Sequence, residues 1–168
     1  MTDDQQQILR TAVFFEGGLG LLALFVGWLV AFYPLDYLHL TGDALTDFWI
    51  GVAATVPSVL LFFLLTTFPV GPFREIHARL QQVILPLFGG LNLIELLLIS
   101  LLAGFGEEFL FRGLLQPMLA YWTGEMGGLV LSNVIFGLAH WITPAYALVA
   151  GLMGMYQGWL MIDTENLL

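Results

Sequence analysis

The feature that most limits what this chain can become is a series of apolar runs, each long enough to cross a lipid bilayer. From Thr11 to Tyr33 the only charged residue is Glu16, and from Phe48 to Phe68 there is none. A hydrocarbon core of about 30 Å takes roughly 20 helical residues, and a helix satisfies every backbone polar group within its own segment. With 59% hydrophobic and 10% charged residues and a mean hydropathy of +0.89, the chain is far poorer in charge than a soluble domain, where about a quarter of residues are charged. The fold class expected is all-α, a polytopic transmembrane bundle of about five or six helices. Residues 1–90 would supply N-terminal membrane helices and an interfacial helix, and residues 91–168 the functional core, within one integrated membrane domain.

Breakers set the boundaries. The polar, acidic start, Met1 to Gln7, precedes an apolar stretch without a small-residue cleavage site, so the first span reads as a retained helix. It is predicted to end at Pro34. A polar loop with Asp36, His39, Asp43 and Asp47 leads to the second span, Phe48 to Phe68, which Pro69, Gly71 and Pro72 should stop. From Phe73 to Leu87, the residues Ile76, Leu80, Val83, Ile84 and Leu87 share one helical face while Arg74, Glu75, Arg79 and Gln82 lie elsewhere. That pattern predicts a helix lying at the interface, broken by Pro86 and the pair Gly89-Gly90.

A long or tilted helix is expected from Leu91 to about Trp122, a fifth apolar segment from Gly127 to Thr143, and a sixth from Tyr146 to Met161. Gly151, Gly154 and Gly158 lie close to one face of the sixth, and Gly154 with Gly158 has the small-xxx-small spacing that lets helices approach. Arg10 and the Arg74/Arg79 pair favour a cytoplasmic N-terminus. If the interfacial segment spans or re-enters, the later helices reverse.

The thirteen acidic residues outnumber the four basic ones, all arginine, so no basic surface exists for nucleic acid. The absence of cysteine removes disulfides, thiolate metal sites and a cysteine nucleophile. Chemistry falls to carboxylate, imidazole, hydroxyl and guanidinium groups. These gather in Gly104-Phe105-Gly106-Glu107-Glu108-Phe109-Leu110-Phe111-Arg112, at a depth where ionisable residues are costly and usually functional.

Glu108 and Arg112 are four apart, acid first, and share a helical face. Glu107 points about 100° away and stays available as a general base, with room beside it at Gly104 and Gly106. In the next helix His140 follows Phe136 by one turn. Counted along each helix, Glu107 and His140 lie at similar depths of about 22 and 20 Å from their shared turn. Packed helices are about 8–10 Å apart, which lets the two side chains meet across a water. Glu16 and Glu95 read as structural or interfacial, and His39 and His77 as solvated. Neither a Gly-x-Ser-x-Gly elbow nor a His-Glu-x-x-His zinc motif is present.

The run Glu107-Glu108-x-x-x-Arg112 followed by Phe136-x-x-x-His140, with Gly113-Leu114-Leu115-Gln116 and the Gly151 to Gly158 helix around it, resembles the CAAX protease and bacteriocin-processing (CPBP, Abi) family of intramembrane endopeptidases. The resemblance implies that Glu107 and His140 activate a water for peptide hydrolysis, that Glu108 and Arg112 support them, and that the substrate is a membrane-embedded or prenylated peptide. It also implies a further helix with His-x-x-x-Asn or His-x-x-x-Asp beyond Leu168, for which Asp163 to Leu168 resembles the preceding loop. On that expectation the chain is either truncated or a catalytically incomplete member.

The reaction as read needs no cofactor, while one imidazole and two carboxylates leave a metal-assisted variant open. The alternatives are a non-catalytic membrane adaptor or immunity-type protein of the same fold, binding a membrane partner through its glycine faces, and a proton-coupled transporter relaying through Glu95, Glu107, Glu108 and His140. Continuous helices argue against transport. The expected location is multi-pass in a bacterial cell membrane or its organellar equivalent.

Overall fold

The computed structural model describes residues 3–38, 44–68 and 70–167, and these form helices and connecting turns. The expectations for His39, Asp43 and Pro69 lie outside the described residues. Six helices follow in order: α1 Asp3–Val30, α2 Ala44–Thr67, α3 Phe73–Phe88, α4 Leu93–Thr123, α5 Glu125–Ala139 and α6 Pro144–Thr164. Three of them, α1, α2 and α6, are long and apolar enough to cross a membrane, and a fourth span is added if the bent pair α3 and α4 counts as one. Large apolar side chains such as Phe25, Trp28, Phe62, Phe63 and Leu101 face outward, the arrangement expected where lipid is the solvent. This is an integral membrane protein.

Helix α1 is longer than its apolar run, because the polar N-terminal residues from Asp3 continue the same helix. It ends before Pro34, where Ala31 adopts a left-handed φ of 59° and Phe32 N–H donates to Gly27 O at 3.0 Å. This is a Schellman-type stop with alanine where glycine is usual. Pro34 then opens a 3-10 turn, Pro34–Tyr37.

Pro86 does not give the break expected of it in α3, which runs on to Phe88, while α4 runs through Pro117 as its expected length requires. A π turn, Leu80–Ile84, precedes Pro86, with Leu85 N–H donating to Leu80 O. In α4 a second π turn, Phe111–Leu115, precedes Pro117, with Gln116 N–H donating to Phe111 O. A proline within a regular helix removes one hydrogen bond and clashes with the carbonyl four residues back. Widening the preceding turn by one residue lets the helix pass the ring, and π turns of this kind concentrate at functional sites.

The face predicted for α3 is partly covered: Ile76 is buried, Leu80 and Ile84 are half-buried, and Val83 and Leu87 are exposed. After the Gly89-Gly90 turn the chain bends by 116° into α4. The transporter argument from continuous helices therefore needs correction, since α3 and α4 form a broken pair. Asn92 caps α4 by accepting from Ile94 and Glu95 N–H, while the Glu95 carboxylate accepts from Asn92 N–H at 2.8 Å. That capping box gives Glu95 a structural task.

Helix α5 stops at Ala139, earlier than Thr143, so His140 is its C-cap residue and not a residue deep within a helix. Thr143, 1% exposed, then caps α6 by accepting from Tyr146 N–H at 3.1 Å, with Pro144 in the first turn.

Candidate active site

The site is assembled where α1, α4, the end of α5 and the start of α6 meet. On α4, Glu107 and Glu108 diverge as a helical pair must. Arg112, 1% exposed, lies with Nη1 3.2 Å from Glu108 Oε1. That contact is ionic, and neither Nη1 nor Nε has a hydrogen-bond partner. Arg112 Nη2 instead donates to Gly154 O at 3.1 Å and to Gln157 Oε1 at 2.8 Å. The guanidinium also lies over the Phe136 ring, 4.6 Å from its centroid. A buried guanidinium needs its charge compensated; Glu108 on α4, the Phe136 ring on α5 and two acceptors on α6 do so here, although Nε and Nη1 keep no hydrogen bond.

One turn further along, Gln116 Nε2 donates to Gly158 O at 2.9 Å. Both rungs join residues 42 apart in sequence, so α4 and α6 advance together in register. The glycines of α6 therefore do more than admit a neighbouring helix. At Gly154 a Cβ would collide with Asn133 Oδ1 and crowd Phe136 Cδ1 and Arg112 Nη2; at Gly158 it would collide with Gln116 Oε1. The missing side chains expose backbone carbonyls to polar side chains of α4 and leave space for them. Gly151 alone makes the backbone approach expected from spacing, against Gly137.

His140 comes to Glu107 from the end of α5. Its Nε2 lies 3.5 Å from Glu107 Oε1, with both side chains about a quarter exposed. Its Nδ1 lies 2.9 Å from Phe136 O, a carbonyl that can only accept, so Nδ1 carries hydrogen and Nε2 is directed at the carboxyl. The Phe136 and His140 rings are 4.2 Å apart, and Phe111 meets Phe136 edge-on at 4.8 Å. Phe136 thus separates the Arg112 guanidinium from the imidazole and touches both. The four residues singled out in the sequence form two adjoining pairs, Glu107 with His140 and Glu108 with Arg112. Glu107 and His140 stand closer than a separation with a water directly between them; a water has to bridge them from the side.

Sequence reasoning passed over several neighbours. Tyr146 places its ring 6.4 Å from His140 and interacts electrostatically with Glu107. Glu16, on α1 and read from the sequence as structural or interfacial, interacts electrostatically with both Glu107 and His140. Asn133, fully buried, donates to Leu129 O at 2.8 Å while its Oδ1 has no partner. The available signal was the presence of amide side chains at Gln116, Asn133 and Gln157 inside otherwise apolar runs. Of the two glycines expected to leave room beside Glu107, Gly104 faces open space and Gly106 receives the backbone of α1. Among the described residues no three His, Asp or Glu side chains are arranged to hold a metal ion.

Residues 89–168 match the family model for Rce1-like proteins, the type II CAAX prenyl endopeptidases. The second half of this chain is Rce1-like. No curated protein and no solved structure matched the chain. The matched region holds both residue pairs and the whole α4–α6 ladder, and the family it matches is one of proteases. Helices α1, α2 and α3 precede it.

Proposed function

We propose that the chain is a glutamate-dependent intramembrane peptidase that hydrolyses a membrane-associated peptide or a prenylated C-terminus. The observation that carries this reading is the approach of His140 Nε2 to Glu107 Oε1 at 3.5 Å within an Rce1-like bundle. Glu107 removes a proton from a water held beside the two side chains, and the water oxygen attacks the scissile carbonyl carbon. His140, its ring fixed through Nδ1, orients that water and faces the developing oxyanion. The C–N bond then breaks, the nitrogen leaves with the proton carried by Glu107, and the products are a carboxylate and an amine. Glu108 and Arg112 hold α4 to α6 and keep Glu107 in place. No metal enters these steps.

The test is hydrolysis of membrane-anchored and prenylated peptides by the purified full chain. Glu107→Gln and His140→Asn should each lower kcat by about 10²–10⁴ while the protein remains folded. Cleavage by Glu107→Gln at the unmodified rate refutes the assignment of the base.

A further inference from the structure

The Rce1-like match begins at residue 89, yet a third carboxyl group reaches the site from α1. Helices α1 and α4 meet backbone to backbone at Gly20 and Gly106: a Cβ at Gly106 would collide with the Glu16 carbonyl oxygen, and one at Gly20 would lie 3.5 Å from Gly106 Cα. Gly106 immediately precedes Glu107, so this contact fixes α1 beside the reacting carboxylate. From there the Glu16 side chain turns into the bundle, with Oε2 buried and without a hydrogen-bond partner. An orphaned carboxyl oxygen in an apolar bundle is expensive, and among the described residues no guanidinium pairs with Glu16 as Arg112 pairs with Glu108. The charged groups that act on it are Glu107 from α4 and His140 from the end of α5. Glu107 in turn acts electrostatically on Glu108 and Arg112 of its own helix and on Tyr146 of α6.

We infer that Glu16 is a positioning residue of the Glu107/His140 site, a second carboxyl that shares its protons and so sets the ionisation of the pair. Two carboxyl groups around one imidazole in a low dielectric do not titrate independently; their protons leave in steps that belong to the set. With Glu16 present the set has one more place to hold a proton while Glu107 works as the base. The N-terminal helix is then part of the active site.

The inference rests on the peptidase reading for its consequence in catalysis, and the experiment separates the two. In the full chain, Glu16→Gln keeps the shape and removes the ionisable oxygen. It should displace the acidic limb of the kcat/KM profile by at least about half a pH unit, and Glu16→Asp should return the limb toward that of the unmodified protein. A uniform loss of rate with coincident profiles overturns the inference, because a packing role lowers activity without moving the limb.

If no peptide is cleaved, the peptidase reading fails and NMR titration of the same proteins still decides the role of Glu16. The imidazole resonance of His140, identified by its loss in His140→Asn, should titrate at a different pH in Glu16→Gln. An unchanged midpoint refutes the coupling. Should Glu16→Gln not fold, Glu16→Ala, which removes the carboxyl without leaving an amide in the bundle, is read in the same way: a changed midpoint supports the coupling and an unchanged one refutes it.

Discussion

A single methyl group at Gly154 tests the α4–α6 ladder. In Gly154→Ala the new Cβ collides with Asn133 Oδ1 and lies 3.0 Å from Phe136 Cδ1 and 3.1 Å from Arg112 Nη2. All three neighbours are packed, and Asn133 and Arg112 have almost no exposed surface. Overpacking of this kind costs about 1–3 kcal/mol. Arg112 also gives up or lengthens its 3.1 Å bond to Gly154 O, a charge-assisted bond worth about 1.5–3 kcal/mol. Alanine recovers about 1 kcal/mol of helix propensity, leaving a net loss of about 1.5–5 kcal/mol.

The matched control is Gly104→Ala, on α4 near the glutamates, where the Cβ meets nothing within 4 Å; there the propensity gain of about 0.5–1 kcal/mol stands alone. For a chain of this size 1 kcal/mol is about 2–4 °C in Tm. Thermal unfolding in detergent should therefore place Gly154→Ala roughly 3–20 °C below the parent and Gly104→Ala at or slightly above it. Equal stability of Gly154→Ala and the parent would falsify the reading of Gly154 as a carbonyl exposed for Arg112. A similar loss in both variants would show that glycine content alone governs the effect.

Arg112→Met should cost about 3–5 kcal/mol, because it strands the Glu108 carboxylate, Gly154 O and Gln157 Oε1 together; adding Glu108→Gln should restore part of that loss in chemical denaturation. Ala31→Gly relieves the left-handed φ of 59° and should raise stability by about 1 kcal/mol, read as a higher Tm with unchanged activity. Tyr156 O–H donates to Ala54 O at 3.1 Å, tying α6 to α2. Tyr156→Phe should loosen α2, and the absence of native cysteine lets paired labels on α2 and α6 report it as a broader distance distribution. An unchanged distribution means that α2 is held by other contacts.

The membrane helices were legible because length and lack of charge are local properties: the expected spans Thr11 to Tyr33 and Phe48 to Phe68 lie in observed helices except at their C-terminal ends, where α1 stops at Val30 and α2 at Thr67. What escaped depends on how the backbone resolves a conflict. Pro86 is a breaker by residue type, yet α3 continues through it by inserting a π turn, the same device that carries α4 past Pro117 over its expected length. Nothing in the composition distinguishes a break from a widened turn, since the choice is set by packing on either side. The end of α5 escaped for a related reason. Leu138, Ala139, Trp141 and Ile142 are apolar enough to extend the helix, but His140 turns its Nδ1 back to Phe136 O and Thr143 begins the next helix as its cap. Local side-chain bonds to the backbone overrode hydropathy.

The site divides along the same line. Glu108 and Arg112 sit on one helix, so their pairing follows from spacing alone, whereas the approach of His140 to Glu107 requires the turn between α4 and α5 to set depth and rotation together. The depth argument reached the right neighbourhood from an incorrect premise, for His140 is at a helix end. A capping position frees its ring from the helix face and lets Phe136 O fix one nitrogen while the other addresses the carboxyl. Glu16 lay furthest from view because its relation to Glu107 passes through two glycines on different helices, Gly20 and Gly106. Each alone reads as a flexible or small residue, and only their contact gives them meaning. The same logic covers the α6 glycines, whose absent side chains accommodate Arg112, Gln116 and Asn133. In a bundle surrounded by lipid, where apolar burial supplies little preference between helix faces, polar side chains and the glycines that admit them are what fix the rotation of each helix about its axis. The charged pairs therefore orient the helices that carry them as well as furnishing the candidate chemistry.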